Sequence, residues 1–227
     1  MTLHYHGTPI SPRPALYELA GHNFCVSFAA PTDIKVCHEI GQSVMLDNGA
    51  FSMWTKGKEP DWPGYYKWCE EWLACPTTWA VIPDVVDGGT EENDALLRQC
   101  PFKKGAPVWH LHEPIIRLEH LVNDYERVCF GSSGQYATVG DDRWHHRVTE
   151  AWNRLGKYRF TPWIHMLRGM SLAGGIYPFA SLDSTDVGRN HNRPQNGAAK
   201  MAKRWDAQQC AMRWHERAEQ TELVVTP

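Results

Sequence analysis

Short apolar blocks alternate along this chain with segments of helical periodicity. Seven apolar runs are typical of buried strands, and they cover 22–30, 43–51, 77–89, 106–114, 127–136, 160–170 and 176–184. Helical patterns follow most of these runs, at 33–41, 63–75, 90–100, 115–125 and 142–156, and a last one covers 198–220. Only a very short connection separates the last two strands. The pattern therefore predicts a strand–helix unit repeated along most of the chain.

Alternation of about seven strands with helices is typical of parallel βαβ units. We predict a single α/β domain with the architecture of a compact or incomplete (β/α)8 TIM-like barrel. An open doubly wound sheet is the alternative, because 227 residues is short for a full barrel. In this interpretation residues 1–20 are an N-terminal extension and residues 198–220 are a C-terminal basic helix.

The composition indicates a protein with a packed core and argues against several classes. Apolar residues make up 42% of the chain, and no apolar run approaches the roughly 18 residues that cross a membrane. The N-terminus does not resemble a signal peptide, so we expect a cytoplasmic protein without a membrane partner. Seven scattered cysteines with no C-x-x-C pair argue against a disulfide framework and a zinc ribbon. We expect no cofactor and no metal.

Polar residues of chemically useful types recur where the predicted strands end. In a parallel α/β fold these ends converge on one face, where catalytic groups are placed. Two neighbouring carboxyl groups there can take different catalytic roles. One can be an ionised nucleophile, and the other can be a general acid or base with a raised pKa. The strand-end residues are Asp47, Asp84, His110, His112, Glu113, the loop 131–134, His165 and Asp183.

The stretch LDNGAFS at 46–52 resembles the D-S-G-G-F-Q motif of the tRNA-guanine transglycosylases (queuine tRNA-ribosyltransferases). The later order of features is also similar to that family. Asp84 follows a strand, HLHEP and a Gly-Ser-Ser-Gly loop come next, and WIHML precedes an apolar run that ends on Asp183 with Arg189 behind it. The similarity covers roughly residues 40 to 192.

The resemblance implies a role for each matched position. Asp183 would attack C1′ of a nucleotide and form a covalent glycosyl-enzyme, while Asp47 would move a proton on the departing or incoming base. Asp84 would hydrogen-bond the pyrimidine edge of the base, and His110 or His112 would stand where the family has a glutamine that reads the base. The further substrate-binding positions would be Asn48, Gly49, Phe51, Ser132, Ser133, Gly134 and His165.

Departures from the family pattern bear on the substrate. The C-x-C-x-x-C zinc cluster of a tRNA-binding subdomain is absent, Asn48 replaces the serine of the motif, and Ala50-Phe51-Ser52 replaces Gly-Phe-Gln. These changes are more similar to the reduced, phage-type DpdA-like enzymes, which exchange guanine in DNA for a 7-deazaguanine such as 7-cyano-7-deazaguanine. The resemblance therefore implies DNA rather than tRNA as the partner, with the target nucleotide flipped out of the duplex. A phage-encoded protein would act in the host cytoplasm.

The charge distribution suggests where such a partner could lie. Net charge is −3, but the stretch 189–217 holds seven basic residues against two acids. A solvated amphipathic helix explains this excess equally well. As phosphate contacts we expect Arg189, Arg193, Lys200, Lys203 and Arg204.

Two other interpretations remain open. His4 and His6 form an H-x-H pair, as do His110 and His112, and alternate strand residues face the same way. With His165 and Asp183 these pairs are similar to the ligand pattern of metal-dependent amidohydrolase barrels. A barrel that binds a base without turnover is the third possibility. The sequence leaves open the oligomeric state and whether Asp84 or Asp87 faces the pocket.

Overall fold

The computed structural model describes residues 1–215 and contains one nearly closed parallel sheet. All neighbouring strands run parallel, in the order β5-β4-β3-β2-β1-β9-β8-β7-β6. The TIM-like barrel is therefore confirmed, and the open sheet is wrong. The strands of the described chain are β1 (Leu3–Gly7), β2 (Asn23–Ser27), β3 (Ser43–Asp47), β4 (Thr78–Val81), β5 (Gly105–Ala106), β6 (Val108–His110), β7 (Arg127–Gly131), β8 (Trp163–Met166) and β9 (Ser181–Ser184).

Pro107 marks the seam where the sheet closes. It alone separates β5, which pairs with β4, from β6, which pairs with β7. The carbonyl of Ala106 accepts the N–H of Ile82 at 2.9 Å, and the carbonyl of Pro107 accepts the N–H of Cys129 at 2.8 Å. Proline has no N–H to donate, so the ladder is interrupted here. Residues 105–110 are therefore one bent strand made of β5 and β6. Counted in this way, the barrel has eight strands.

Helices cover most of the outer face of the barrel. The connection from β8 to β9 is an exception, since it contains only the short 3-10 helix Met170–Leu172. The α-helices of the described residues are α1 (Arg13–Tyr17), α2 (Ile34–Ile40), α3 (Ala50–Thr55), α4 (Trp62–Trp72), α5 (Thr90–Gln99), α6 (Ile115–Asp124), α7 (Asp142–Leu155), α8 (Asp186–Asn190) and α9 (Ala198–Asp206).

The N-terminal extension predicted for residues 1–20 is wrong. Residues 3–7 form β1, which lies between β2 and β9, with Tyr5 in register with Asp183. The side chain of Tyr5 points into the barrel, whereas His4 and His6 point outward to α9. A strand that buries alternate residues on two different faces needs no long apolar run, which explains why the pattern does not reveal it.

The C-terminal helix predicted for 198–220 is shorter than expected. It ends at Asp206, and residues 207–215 continue without helix; residues 216–220 lie outside the described chain. The segment after α9 packs on the face that lacks a helix. There the N–H of Ala211 donates to Gly175 O at 3.0 Å, and the ring of Trp214 stacks on Tyr177. This packing replaces further helical turns.

The barrel interior and the helix-facing layers form separate apolar clusters, because side chains alternate along each strand. The Tyr5 hydroxyl accepts a hydrogen bond from Trp79 Nε1 at 3.0 Å and lies 2.9 Å from Ser43 Oγ. The polar atoms of these two rings are thus satisfied inside the barrel. The interior cluster consists of Tyr5, Cys25, Met45, Trp79, Val81, Ala106, Val108 and Cys129. Among the described residues, no helix has the length and apolar character needed to cross a bilayer.

The position of β1 leads to a stability prediction. Tyr5 is 1% exposed, so Tyr5→Ala should lower the free energy of unfolding by about 3–5 kcal/mol through the cavity it leaves. Urea denaturation measures this loss. Tyr17→Ala is the control, because Tyr17 is 47% exposed and its truncation should change stability by no more than about 0.5 kcal/mol. Equal, small effects of both variants would contradict a central β1.

Candidate active site

A cavity of about 670 Å³ opens at the carboxyl ends of the strands. Counting β5 and β6 as one strand, each of the eight strands contributes one inward-facing residue. Six of these residues lie at the strand end or directly after it, the one on β9 lies one residue before the end, and the one of β4 lies three residues beyond its end. Such a lining follows from strand geometry, because the next inward position beyond the filled interior layer faces open space. These residues are Gly7, Ser27, Asp47, Asp84, His110, Gly131, Leu167 and Asp183.

Asp183, on β9, is held at one side of the cavity by two hydrogen bonds. Its Oδ1 accepts the backbone N–H of Arg168 at 2.6 Å and lies 3.2 Å from Nε2 of His165. Nδ1 of His165 lies 2.7 Å from the Ser181 hydroxyl, so that with Nδ1 as acceptor Nε2 is the donor to Asp183. Within the described chain both bonds fall on Oδ1. Oδ2 is therefore the oxygen that remains for a ligand.

Asp47 lies in the same cavity at the end of β3 and has an unusual acidity. Burial raises its pKa to about 6, and the negative charges of Asp183 and Asp84 act in the same direction. A hydrogen bond with Ser27 and the N–H of Gly49, 3.2 Å from Oδ2, partly oppose the shift. A carboxyl group with such a pKa can both give and take a proton near neutral pH.

Asp84 is fixed by an amide and an imidazole. Nδ2 of Asn48 donates to Asp84 Oδ1 at 2.7 Å and to the carbonyl of Ile82 at 2.9 Å, while Oδ2 lies 2.9 Å from Nε2 of His110. Asp87 is exposed and does not line the cavity, so Asp84 is the residue that faces it. These contacts leave a carboxylate, an amide and an imidazole side by side.

His110 owes its position to a neighbouring glycine and a buried acid. A Cβ at Gly131 would lie only 2.7 Å from Nδ1 of His110, so a larger residue there would displace the ring. The N–H of His110 donates to Glu113 Oε2 at 2.9 Å, and Glu113 is paired with Arg117 at 2.8 Å. Glu113 thus holds the backbone of His110 in place at the end of β6. Nδ1 of His110 is buried without a hydrogen-bond partner in the described structure.

Arg168 is a cavity residue that the sequence analysis missed. Its guanidinium carbon lies 3.9 Å from the ring centre of Phe51, and Nη2 donates to the carbonyl of Ser132 at 2.8 Å. Its φ of 58° is in the left-handed region, which is uncommon for a residue other than glycine. Burial lowers the pKa of this guanidinium, and the charges of Asp183 and Asp47 oppose that change. The only signal in the sequence was its place two residues after the strand WIHM.

The structure brings half of the predicted base-binding residues to the cavity. Asn48, Phe51, Asp84, His110 and Ser132 line it. The other predicted positions lie behind this layer and do not line the cavity; they are Gly49, His112, Ser133, Gly134 and His165.

Each residue behind the lining supports its neighbours. Gly49 begins α3 with a φ of 77°, a conformation that glycine adopts without strain. Nδ1 of His112 lies 2.7 Å from the Ser133 hydroxyl, Nε2 lies 3.0 Å from the carbonyl of Gly88, and the ring stacks on His110. These contacts fix the wall that carries His110.

The cavity has an acidic floor and a basic rim. Among the predicted phosphate contacts, Arg189 lines the cavity. Arg193, Lys200, Lys203 and Arg204 do not line it, although each is exposed. Two other cations, Lys56 and Arg168, complete the basic rim, which we define as Lys56, Arg168 and Arg189. Cations at the entrance and carboxylates at depth suit a ligand with phosphates around a neutral reacting group.

The first H-x-H pair does not belong to this cavity. His4 and His6 are buried on the outer face of β1, where both approach Asp206 of α9. The two histidines do face the same way, as the spacing predicts, but away from the barrel axis. Of the ligands expected for an amidohydrolase-like metal site, this pair is therefore missing from the cavity.

The raised pKa of Asp47 makes stability depend on pH. The folded protein binds the Asp47 proton more tightly than the unfolded chain does, so the free energy of unfolding falls as pH rises from about 3.8 to about 6. Asp47→Asn removes this titration. Relative to the variant, the parent protein should lose about 2–3 kcal/mol across that window.

Urea denaturation at several pH values measures this difference. Asp87→Asn is the control, because Asp87 is exposed and does not line the cavity. A constant difference between Asp47→Asn and the parent protein would show that Asp47 titrates normally.

Comparison with known proteins finds no family model, no curated protein and no solved structure that matches this chain. The family resemblance therefore stays a prediction.

Proposed function

We propose that this protein is a base-exchanging glycosyltransferase, a pentosyltransferase that replaces guanine in nucleic acid with a 7-deazaguanine. The observation that carries the proposal is the pairing of two unlike carboxyl groups in one cavity. Asp183 presents Oδ2 while Oδ1 is held by two donors, and Asp47 has a pKa near 6. A nucleophile and a proton carrier with different environments are what such an exchange requires.

In the first half of the reaction Asp183 displaces the base. Oδ2 of Asp183 attacks C1′ of the nucleotide, and the bond from C1′ to N9 of guanine breaks. The departing guanine keeps the bonding electron pair and receives the proton of neutral Asp47. The result is a sugar ester on Asp183 and an ionised Asp47.

In the second half the same two groups act in reverse. Ionised Asp47 takes the proton from N9 of the incoming 7-deazaguanine, and N9 attacks C1′. The ester bond to Asp183 breaks, and its carboxylate leaves with the electron pair. Both aspartates return to their starting states, so the cycle consumes no cofactor.

The adjoining polar groups fit recognition of a purine-like base. The pyrimidine edge of guanine offers N–H donors, and Asp84 retains acceptor capacity beside its bonds from Asn48 and His110. Phe51 is 39% exposed and lines the cavity beneath Arg168, so a flat base can stack there. The ring of His110 lines the cavity beside Asp84.

The basic rim favours nucleic acid over a free nucleoside. A nucleotide must leave the stack to reach a carboxylate at the depth of Asp183, and the flanking phosphates would then lie at the cavity entrance. Lys56, Arg168 and Arg189 stand there. We favour DNA over tRNA as the substrate and 7-cyano-7-deazaguanine as a representative incoming base, with the cytoplasm as the place of action.

A base-exchange assay tests this function. The protein is incubated with duplex DNA or tRNA and with radiolabelled guanine or 7-cyano-7-deazaguanine. We expect label in DNA, and loss of incorporation to background for Asp183→Asn, because the amide cannot act as the nucleophile. Asp87→Asn should keep the parent rate. Label in tRNA alone would overturn the substrate, and absence of label from both would overturn the chemistry.

Asp47→Asn separates proton transfer from nucleophilic attack. The variant should exchange base about 10²–10⁴-fold more slowly, the usual contribution of a general acid or base. Because parent activity depends on the protonation state of Asp47, its pH–rate profile should bend near pH 6, and this bend should be lost in the variant. An unchanged profile in Asp47→Asn would assign the proton transfer to another group.

Arg168→Gly tests the phosphate contact without disturbing the backbone. Glycine adopts a φ of 58° freely, so the N–H bond to Asp183 should persist while the guanidinium is lost. We expect weaker DNA binding and a decrease of about 0.9 in the slope of log affinity against log salt. Arg143→Ala removes a charge from the exposed surface of α7 as the control. The same slope in both variants would place Arg168 away from the phosphates.

A further inference from the structure

A cluster of three potential metal ligands lies outside the barrel and away from the cavity. His6 comes from β1, His22 directly precedes β2, and Asp206 ends α9. His6 Nε2 is 3.1 Å from Asp206 Oδ1, and His22 Nδ1 is 2.6 Å from Asp206 Oδ2. One donor atom from each residue lies within 4.8 Å of the other two, and across residues 1–215 this is the only group of three that does so.

The donor set and its spacing suit Zn²⁺. Two imidazoles and one carboxylate are ordinary zinc ligands, with bonds of about 2.0–2.2 Å, which places neighbouring donors of a tetrahedral site about 3.3 Å apart. The separation of His6 from Asp206 is already close to this value. His22 Nδ1 lies closer than this to Asp206 Oδ2, at 2.6 Å, and its side chain is 21% exposed, so it has room to move outward.

The surroundings leave a fourth coordination position open. The Asp206 side chain is 32% exposed, so water reaches the cluster from the solvent side. On the inner side His4 is 1% exposed and has Nδ1 3.7 Å from Asp206 Oδ1. The imidazole of His4 thus covers the cluster on the side of the barrel, and the opposite side of the cluster is accessible to solvent.

We propose that His6, His22 and Asp206 bind one Zn²⁺ with water in the fourth position. The ion would fasten the end of α9 to the outer face of β1, joining parts of the chain about 200 residues apart. None of the three residues lines the cavity, so this proposal does not depend on the proposed base exchange. Its role would be structural, because binding to the folded chain alone stabilises that chain.

Metal analysis of the protein without an affinity tag tests the site. The protein is treated with a chelator, dialysed, titrated with ZnCl₂ and analysed for bound zinc by mass spectrometry. We expect one Zn²⁺ per chain and a rise in the melting temperature. Co²⁺ in place of Zn²⁺ should give the visible absorption of a tetrahedral site. No zinc above background after dialysis would overturn the proposal.

Two ligand variants and a matched control locate the ion. His22→Gln keeps a partly exposed polar side chain and should still fold, and Asp206→Asn is the second variant. Each should weaken Zn²⁺ affinity by more than about ten-fold, since even loss of an outer-shell partner costs 10–100-fold. His120→Gln alters an exposed histidine on α6 and should keep the parent affinity. Parent-like stoichiometry and affinity in His22→Gln would show that zinc binds elsewhere.

Discussion

The alternation of side chains along the strands is the constraint on which this cavity depends. In a closed barrel every second residue points to the axis, where no helix can cover it. Asp47 is two residues beyond Met45 of the interior cluster, His110 is two beyond Val108, and Asp183 follows Ser181 in the same way. A shift of one residue in the register of a strand would turn its polar side chain away from the cavity. The side chains that now face the helices would point into the cavity instead.

Three carboxyl groups in one cavity repel each other and lose hydration, so their arrangement is costly without compensation. Each of them has direct hydrogen-bond donors. Asp183 receives an N–H and an imidazole, and Asp84 receives an amide and an imidazole. Asp47 receives a hydrogen bond from Ser27 and the N–H of Gly49, but burial outweighs these donors and raises its pKa to about 6. The raised pKa of Asp47 therefore arises from burial and from the charges of Asp183 and Asp84 rather than from a lack of donors.

The alternation of strands with helices could be predicted because each later strand carries a run of apolar residues. The carboxylates at strand ends could be predicted for the same reason, since the apolar run marks where the strand stops. The sequence did not reveal β1, because its outward His4 and His6 break the apolar pattern. Nor could it reveal the left-handed backbone of Arg168, which depends on contacts with Asp183 and Ser132. The overlong C-terminal helix fails because tertiary packing after Asp206 outweighs helical periodicity.

The pairing of the first strand with the last imposes an order on how this protein is made. β1 leaves the ribosome well before its partner β9, which lies some 170 residues further along the chain, so the ring cannot close until β9 has been synthesised. Contacts so distant in sequence are slow to form. Until then one edge of β1 is unpaired, which is a hazard for aggregation. Asp183 comes into register with Tyr5 only when β9 pairs with β1. A nascent chain that lacks this pairing therefore has no assembled site.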